Sequence, residues 1–188
     1  MKFILALLMI GSLYLAGADP SLKPYKDPAE KTKYAERYRI LTDLDGDGVN
    51  DMLLSGSPVE FGTMGGPWMV YLNRKGDFAE VGEIWAHTMA IAFEPDQARI
   101  QRDPKTRRFA RIWVYLKSSG SAGALGYYRV GEDTIDKMGG IEIYPGDGGT
   151  DLGNSLYKAT FKKSPIPFSI QHSKTAEDGK VTWMEIKR

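Results

Sequence analysis

The residues Tyr38-Arg39-Ile40-Leu41-Thr42-Asp43-Leu44-Asp45-Gly46-Asp47-Gly48-Val49-Asn50-Asp51-Met52-Leu53-Leu54 decide how the chain is read. Tyr38 to Thr42 alternates apolar and polar like a strand, and Met52-Leu53-Leu54 is a short apolar run. The segment therefore predicts strand, loop, strand. Within the loop, Asp43, Asp45, Asp47 and Asp51 stand at i, i+2, i+4 and i+8. That much like charge in a short loop repels itself unless a cation gathers it. A hard cation such as Ca²⁺ takes six to eight oxygen ligands at about 2.3–2.6 Å. A tight turn brings the side chains of Asp43, Asp45 and Asp47 to one centre, with the Val49 carbonyl and the Asp51 carboxylate completing the shell. Gly46 and Gly48 allow backbone angles that a Cβ forbids. Asp-Gly runs also build plain solvated turns, but a turn needs one or two such residues, whereas here four acids fall in register. Many oxygens on a flexible loop favour Ca²⁺ over Mg²⁺, and its expected role is to staple two strands.

The loop resembles an EF-hand at positions 1, 3, 5, 6, 7 and 9 of that motif, whose twelfth position carries a bidentate Glu. Leu54 stands there instead, and the flanks are strand-like, not helical. With Gly56-Ser57-Pro58 as a following small turn, residues 38–58 are similar to the calcium segment of FG-GAP/VCBS-type repeats. That family's Phe-Gly element is missing upstream; Phe61-Gly62 lies downstream. The resemblance implies Asp43, Asp45, Asp47 and Asp51 as side-chain ligands, and interaction more than catalysis.

Beyond the loop, β-signals dominate. Trp68 to Leu72 and Phe78 to Ile84, separated by Asn73 to Asp77, read as a hairpin. Phe109 to Leu116, Tyr127 to Val130, Ile141 to Tyr144 and Val181 to Ile186 follow the same grammar, with turns at Gly131 to Asp133, Gly146 to Gly149 and Asp178-Gly179. The expected fold class is all-β: antiparallel strands arranged as propeller-blade-like pieces or a sandwich. A short N-terminal helix from Asp27 to about Arg37 is expected from the cap, proline and glutamate of Asp27-Pro28-Ala29-Glu30. One recurrence is visible: Val70-Tyr71-Leu72, Gly76 and Gly82 reappear as Val114-Tyr115-Leu116, Gly120 and Gly126, each displaced by 44 residues. That spacing suits a β-sheet unit, although the chain is too short for a closed seven-bladed ring.

Residues 1–18 read as a signal peptide: Lys2, an apolar run from Phe3 to Leu15, and the small-residue pattern Ala16-Gly17-Ala18. That run is too short to span a bilayer, so no membrane insertion is expected after its removal. Residues 19–35 form a polar leader with the short helix, and residues 36–188 one β-rich domain. The chain has no cysteine, so disulfides and a lipid-modified cysteine are both excluded. The expected location is the periplasm or the secreted fraction of a bacterium. The 25 Lys and Arg against 24 Asp and Glu argue against nucleic acid or an anionic membrane as a partner driven by bulk charge. The small basic cluster at Lys105 to Arg108 reads as a solvated hairpin tip.

Catalytic signals are sparse. His87 and His172 lack partners at metal-ligand spacing, no serine sits in a Gly-x-Ser-x-Gly elbow, and the Gly-rich Ser118 to Gly126 lacks the Lys-Ser/Thr ending of a phosphate loop. It reads as a mobile connection. Asp147, Asp151 and Asn154 form a second, weaker candidate cation loop at i, i+4 and i+7; the same residues also suit a flexible turn. The leading expectation is an exported, non-catalytic, calcium-binding β-domain that interacts with a protein or glycan at the cell envelope. The alternative is an envelope hydrolase of carbohydrate or peptide, with two of Glu60, Glu83, Glu94 and Glu142 as acid and base. Trp68, Trp85, Trp113 and Trp183 suit either sugar stacking or the core.

Overall fold

The computed structural model describes residues 36–62, 64–97, 109–117, 123–143, 149–176 and 180–186 of the 188. The expected signal peptide and leader, the basic cluster at 105–108 and Asp147 lie outside them, as does the helix expected from Asp27 to about Arg37 except for Glu36 and Arg37, which are not helical. The first strands are β1 (Tyr38–Thr42), β2 (Asp51–Ser55), β3 (Gly66–Arg74), β4 (Asp77–Ala86) and β5 (Ile91–Pro95). They are followed by β6 (Ala110–Lys117), β7 (Gly123–Val130) and β8 (Ile135–Ile143), a helix α1 (Gly149–Phe161), and β9 (Ser169–Thr175) and β10 (Val181–Glu185). The strands form two antiparallel sheets, a six-stranded one in the order β10-β9-β1-β2-β3-β4 and a four-stranded one in the order β5-β6-β7-β8. The fold is all-β and sandwich-like, as the strand grammar predicts. Among the described residues no helix is long and apolar enough to cross a membrane.

The core lies between the sheets and follows from period-two alternation. Ile40, Leu53, Trp68, Val70, Leu72 and Ile84 face it from the larger sheet; Ile91, Phe93, Ile112, Val114, Tyr128 and Val130 face it from the smaller. In β6 the intervening residues Arg111, Trp113 and Tyr115 point the other way, and all three are half-buried. Trp68 is fully buried, and its indole Nε1 donates to the Ala86 carbonyl at 3.0 Å. That bond removes the desolvation cost its one polar atom would otherwise carry.

The β3–β4 hairpin closes through a two-residue turn, Lys75 and Gly76, with φ of 59° and 100°. Positive φ at both positions is the primed geometry that matches strand twist. Asn73 Oδ1 accepts from the Gly76 N–H at 2.8 Å and holds the turn. The 44-residue recurrence has a structural counterpart. Val70 pairs with Gly82 and Trp68 with Ile84; Val114 pairs with Gly126 and Ile112 with Tyr128. The same displacement thus maps one hairpin of each sheet onto the other, with inward-facing residues at matching positions. The two are not identical, because β3–β4 carries a bulge after Val70 that β6–β7 lacks. At that bulge Gly82 has φ of 141°, and a Cβ there would meet Ile135 Cγ2 at 2.5 Å. Glycine lets β4 pass close to β8.

Two sequence readings are corrected. Gly123 to Gly126, read as part of a mobile connection, lies in β7 and pairs with Lys117 to Val114 on one side and Ile143 to Gly140 on the other. Ladder hydrogen bonds on both edges and the burial of Leu125 outweigh the low strand propensity of glycine. Gly149 to Asn154, read as a turn or cation loop, begins α1, so Asp151 and Asn154 stand on a helix. Its later turns carry Leu156, Tyr157 and Phe161 onto Ala90, Ala92, Leu125, Trp113 and Tyr115, the outward face of the smaller sheet. Tertiary burial, not local propensity, makes this glycine-containing segment helical. After α1 the chain runs along the edge of β5. There the Ser164 hydroxyl accepts from the Phe93 N–H at 2.9 Å, and the Ile166 N–H donates to the Phe93 carbonyl at 3.0 Å. This covers an edge that would otherwise invite pairing with another chain.

Core and surface make opposite predictions. Leu53→Ala, in the all-buried β2, should lower unfolding stability by roughly 2–5 kcal/mol. Val59→Ala, at a side chain that is 91% exposed, should change it by less than about 0.5 kcal/mol. Urea titrations of the two variants read out both values.

Candidate metal centre

The loop between β1 and β2 turns on the two glycines singled out in its sequence. Gly46 and Gly48 have φ of 74° and 87°, a region closed to most other residues. Asp43 organises the turn: its Oδ1 accepts from the Gly46 N–H at 2.7 Å and its Oδ2 from the Gly48 N–H at 3.0 Å. Asp45 Oδ1 accepts from the Asp47 N–H at 3.3 Å, and Asp47 Oδ1 from the Val49 N–H at 2.8 Å. These are the side-chain-to-backbone bonds that Asp makes in tight turns.

The loop sits at one end of the sandwich and joins both sheets. Leu44 is fully buried in the core, and its carbonyl accepts from the Ala110 N–H of β6 at 2.7 Å. Asp51, the first residue of β2, is buried. Its Oδ2 accepts from the Leu44 N–H and its Oδ1 from the Asn73 N–H, each at 2.7 Å. Asp45 is fully buried, and Arg74 at the end of β3 places Nη1 3.2 Å from its Oδ2. The same guanidinium donates through Nη2 to the Glu132 carbonyl, in the turn between β7 and β8.

Of the residues singled out in the sequence, the fold brings Asp43, Asp45 and Asp51 together, with one carboxylate oxygen of each lying within 4.8 Å of the others. This acidic cluster is able to hold a metal ion. Asp47 stands outside that group, and the Val49 side chain is 48% exposed. Two ionised carboxylates at such a separation repel by about 3–4 kcal/mol at an effective dielectric constant near 20. Arg74 offsets part of this. Burial, and then the neighbouring charges of Asp45 and Asp43, push the Asp51 carboxyl up to about 7, against the lowering effect of its two backbone N–H donors.

Arg74 is the member of the site that the sequence reading missed. Its signal is weak in one dimension: a lone Arg beside the Lys75-Gly76 turn, more than twenty residues from the acids. The other candidates are dispersed. His87 Nδ1 accepts from the Met89 N–H, and His172 stacks on Tyr38 with ring centres 5.0 Å apart, its Nε2 3.8 Å from Glu36. Trp68 belongs to the core, whereas Trp85 is 38% exposed and Trp113 and Trp183 are partly buried. Glu94 pairs with Arg111 at 3.7 Å. Beside it Asp96 is fully buried, with Arg111 Nη2 at 2.6 Å and Arg129 Nε at 2.7 Å, so the two arginines neutralise an acid that pins the end of β5.

No protein family, no curated protein and no solved structure matches this chain.

Two outcomes follow from Asp51. Removing an acceptor from a buried N–H costs about 1–3 kcal/mol, so Asp51→Ala, which strands the N–H groups of Leu44 and Asn73, should destabilise by at least that much in chemical unfolding. The carboxyl's affinity for a proton is raised by folding, so between about pH 4 and 7 the folded state binds more protons than the unfolded state. In chelator-treated protein this contribution therefore makes stability rise as pH falls from about 8 towards 4. The melting temperature measured across that range checks the sign, and the rise should flatten in Asp51→Asn.

Proposed function

We propose that the chain is an exported, non-catalytic β-domain whose acidic loop takes Ca²⁺, and that it serves as a protein- or glycan-interaction module of the cell envelope. The observation that carries the calcium reading is the convergence of Asp43, Asp45 and Asp51, from both ends of one loop, on a common point at the end of the sandwich. Hard carboxylate oxygens, without a soft donor among them, suit Ca²⁺ or Mg²⁺, and many oxygens on a flexible loop suit the larger ion. The likeness of residues 38–58 to FG-GAP/VCBS calcium segments supports the same choice. Export rests on Lys2, the apolar run and Ala16-Gly17-Ala18. An extracellular compartment supplies calcium at the millimolar level that weak extracellular modules need.

The ion's work here is structural. The loop already ties β1 and β2 to β3 and β6, so a cation that relieves repulsion among its acids stabilises the junction of both sheets. With a Kd of about 10⁻⁴–10⁻³ M, calcium at about 5 mM adds roughly 1–2 kcal/mol. In a domain of this size that corresponds to a melting temperature about 2–8 °C higher. Because ligands bind as carboxylates, the gain should shrink as pH falls.

The test is differential scanning fluorimetry in calcium, magnesium and chelator. Wild type should melt higher in calcium than in chelator, and less so in magnesium. Asp43→Asn and Asp45→Ala should remove the calcium-dependent increment, whatever they do to the baseline. An increment that survives Asp45→Ala assigns the ion elsewhere.

A further inference from the structure

On the outward face of the smaller sheet, beside the C-terminal end of α1, lies a recess of about 260 Å³ that the acidic loop does not touch. We propose that it binds one sugar ring of a neutral glycan. This names the partner class left open above and rests on reading the chain as a glycan-interaction module.

The recess lies where the β5–β6 face meets the end of α1. Ala92 of β5 is the cross-strand partner of Trp113 of β6, and both line the recess, which thus has an aromatic wall. The far side is formed by Thr160, near the end of α1, and by Lys163 and Pro165 in the segment that runs along the β5 edge. Trp113 is braced from behind by Tyr127, with ring centres 5.0 Å apart, and Arg111 stacks over Tyr127 at 5.4 Å. The indole is thus a rigid, half-buried plate. Its electron-rich face suits the polarised C–H groups of a sugar ring, and immobilising it costs little further entropy.

The polar groups select among ligands. Glu94 and Lys163 line the same recess and supply an acceptor and a donor of opposite charge. Glu94 is already oriented by Arg111 at 3.7 Å and keeps a third of its side-chain surface exposed. A carboxylate engaged in this way still accepts a hydroxyl on its remaining lone pairs, and Arg111 on one side and Lys163 on the other leave a cation little to gain there. An anion drawn by Lys163 meets the repulsion of Glu94. A polyhydroxylated, uncharged ligand satisfies both groups, with Thr160 as a further hydroxyl partner.

Isothermal titration and tryptophan fluorescence on the full chain, with neutral di- and trisaccharides of glucose, galactose, mannose and N-acetylglucosamine, test this. At least one should bind saturably at millimolar concentration and perturb the fluorescence. Loss of a charge-assisted hydrogen bond predicts that Lys163→Ala, at an exposed side chain that leaves the fold intact, and Glu94→Gln weaken binding by about tenfold. Trp113→Phe should weaken it and remove the fluorescence response, while Trp85→Phe should leave both unchanged. Absence of saturation with every sugar, binding indifferent to Trp113→Phe and Lys163→Ala, or preference for amino acids or uronic acids over neutral sugars overturns the proposal. The calcium-dependent melting shift, measured on the same samples, separates the two readings. A retained shift without sugar binding removes only the recess, and sugar binding without a shift removes only the calcium site.

Discussion

The carboxylate of Asp51 is the point from which the end of the sandwich is organised. One oxygen accepts from the loop at Leu44 and the other from the end of β3 at Asn73. With those two bonds in place, Leu44 is fixed in the core and its carbonyl meets Ala110 of the opposite sheet. A single acid thus sets the geometry of the β1–β2 loop, the exit of β3 and the join between sheets. It does so at an electrostatic cost, since burying a carboxylate among others raises its free energy. Arg74 offsets part of that cost, and a proton or a divalent cation can offset the rest. The site is therefore a structural joint whose acidic cluster is also able to hold a metal ion.

The acids of the loop fall into two groups. Asp43 and Asp47 satisfy backbone N–H groups within the loop, as turn residues do. Asp45 and Asp51 are buried, and burial of two acids so close together is unfavourable unless a proton or a positive charge, such as that of Arg74 on Asp45, offsets it. Arg74 also contacts the Glu132 carbonyl of the β7–β8 turn, so the loop is bonded to both sheets.

The two faces of the smaller sheet divide the labour. Its inward side belongs to the core. Its outward side is half covered by α1, which leaves Trp113 at a boundary between buried and open surface. The sandwich is joined at one end by the acidic loop, and the recess on its flank is lined by other residues.

Local pattern determined much of this molecule. Period-two alternation placed β1, β3, β4, β6 and β10, the spacing of Asp and Gly marked the loop and its positive-φ glycines, and a 44-residue recurrence foreshadowed two strand pairs with matching inward-facing positions. What remained hidden depends on contacts distant in sequence. The helix α1 carries glycines that weaken its intrinsic preference and is held by its burial against Ala92, Leu125 and Tyr115. Gly123 to Gly126 look like loop until both strand partners are known. Asp45 and Asp51 carry the same side chain as Asp47, yet only the tertiary structure buries the first two and leaves the third outside the cluster. Arg74 enters the site because strand pairing folds β3 back alongside β2, and no short-range pattern encodes that approach. Sequence periodicity sets which face of a strand is apolar; it cannot set which distant charge arrives beside a given carboxylate, because that depends on how whole sheets pack.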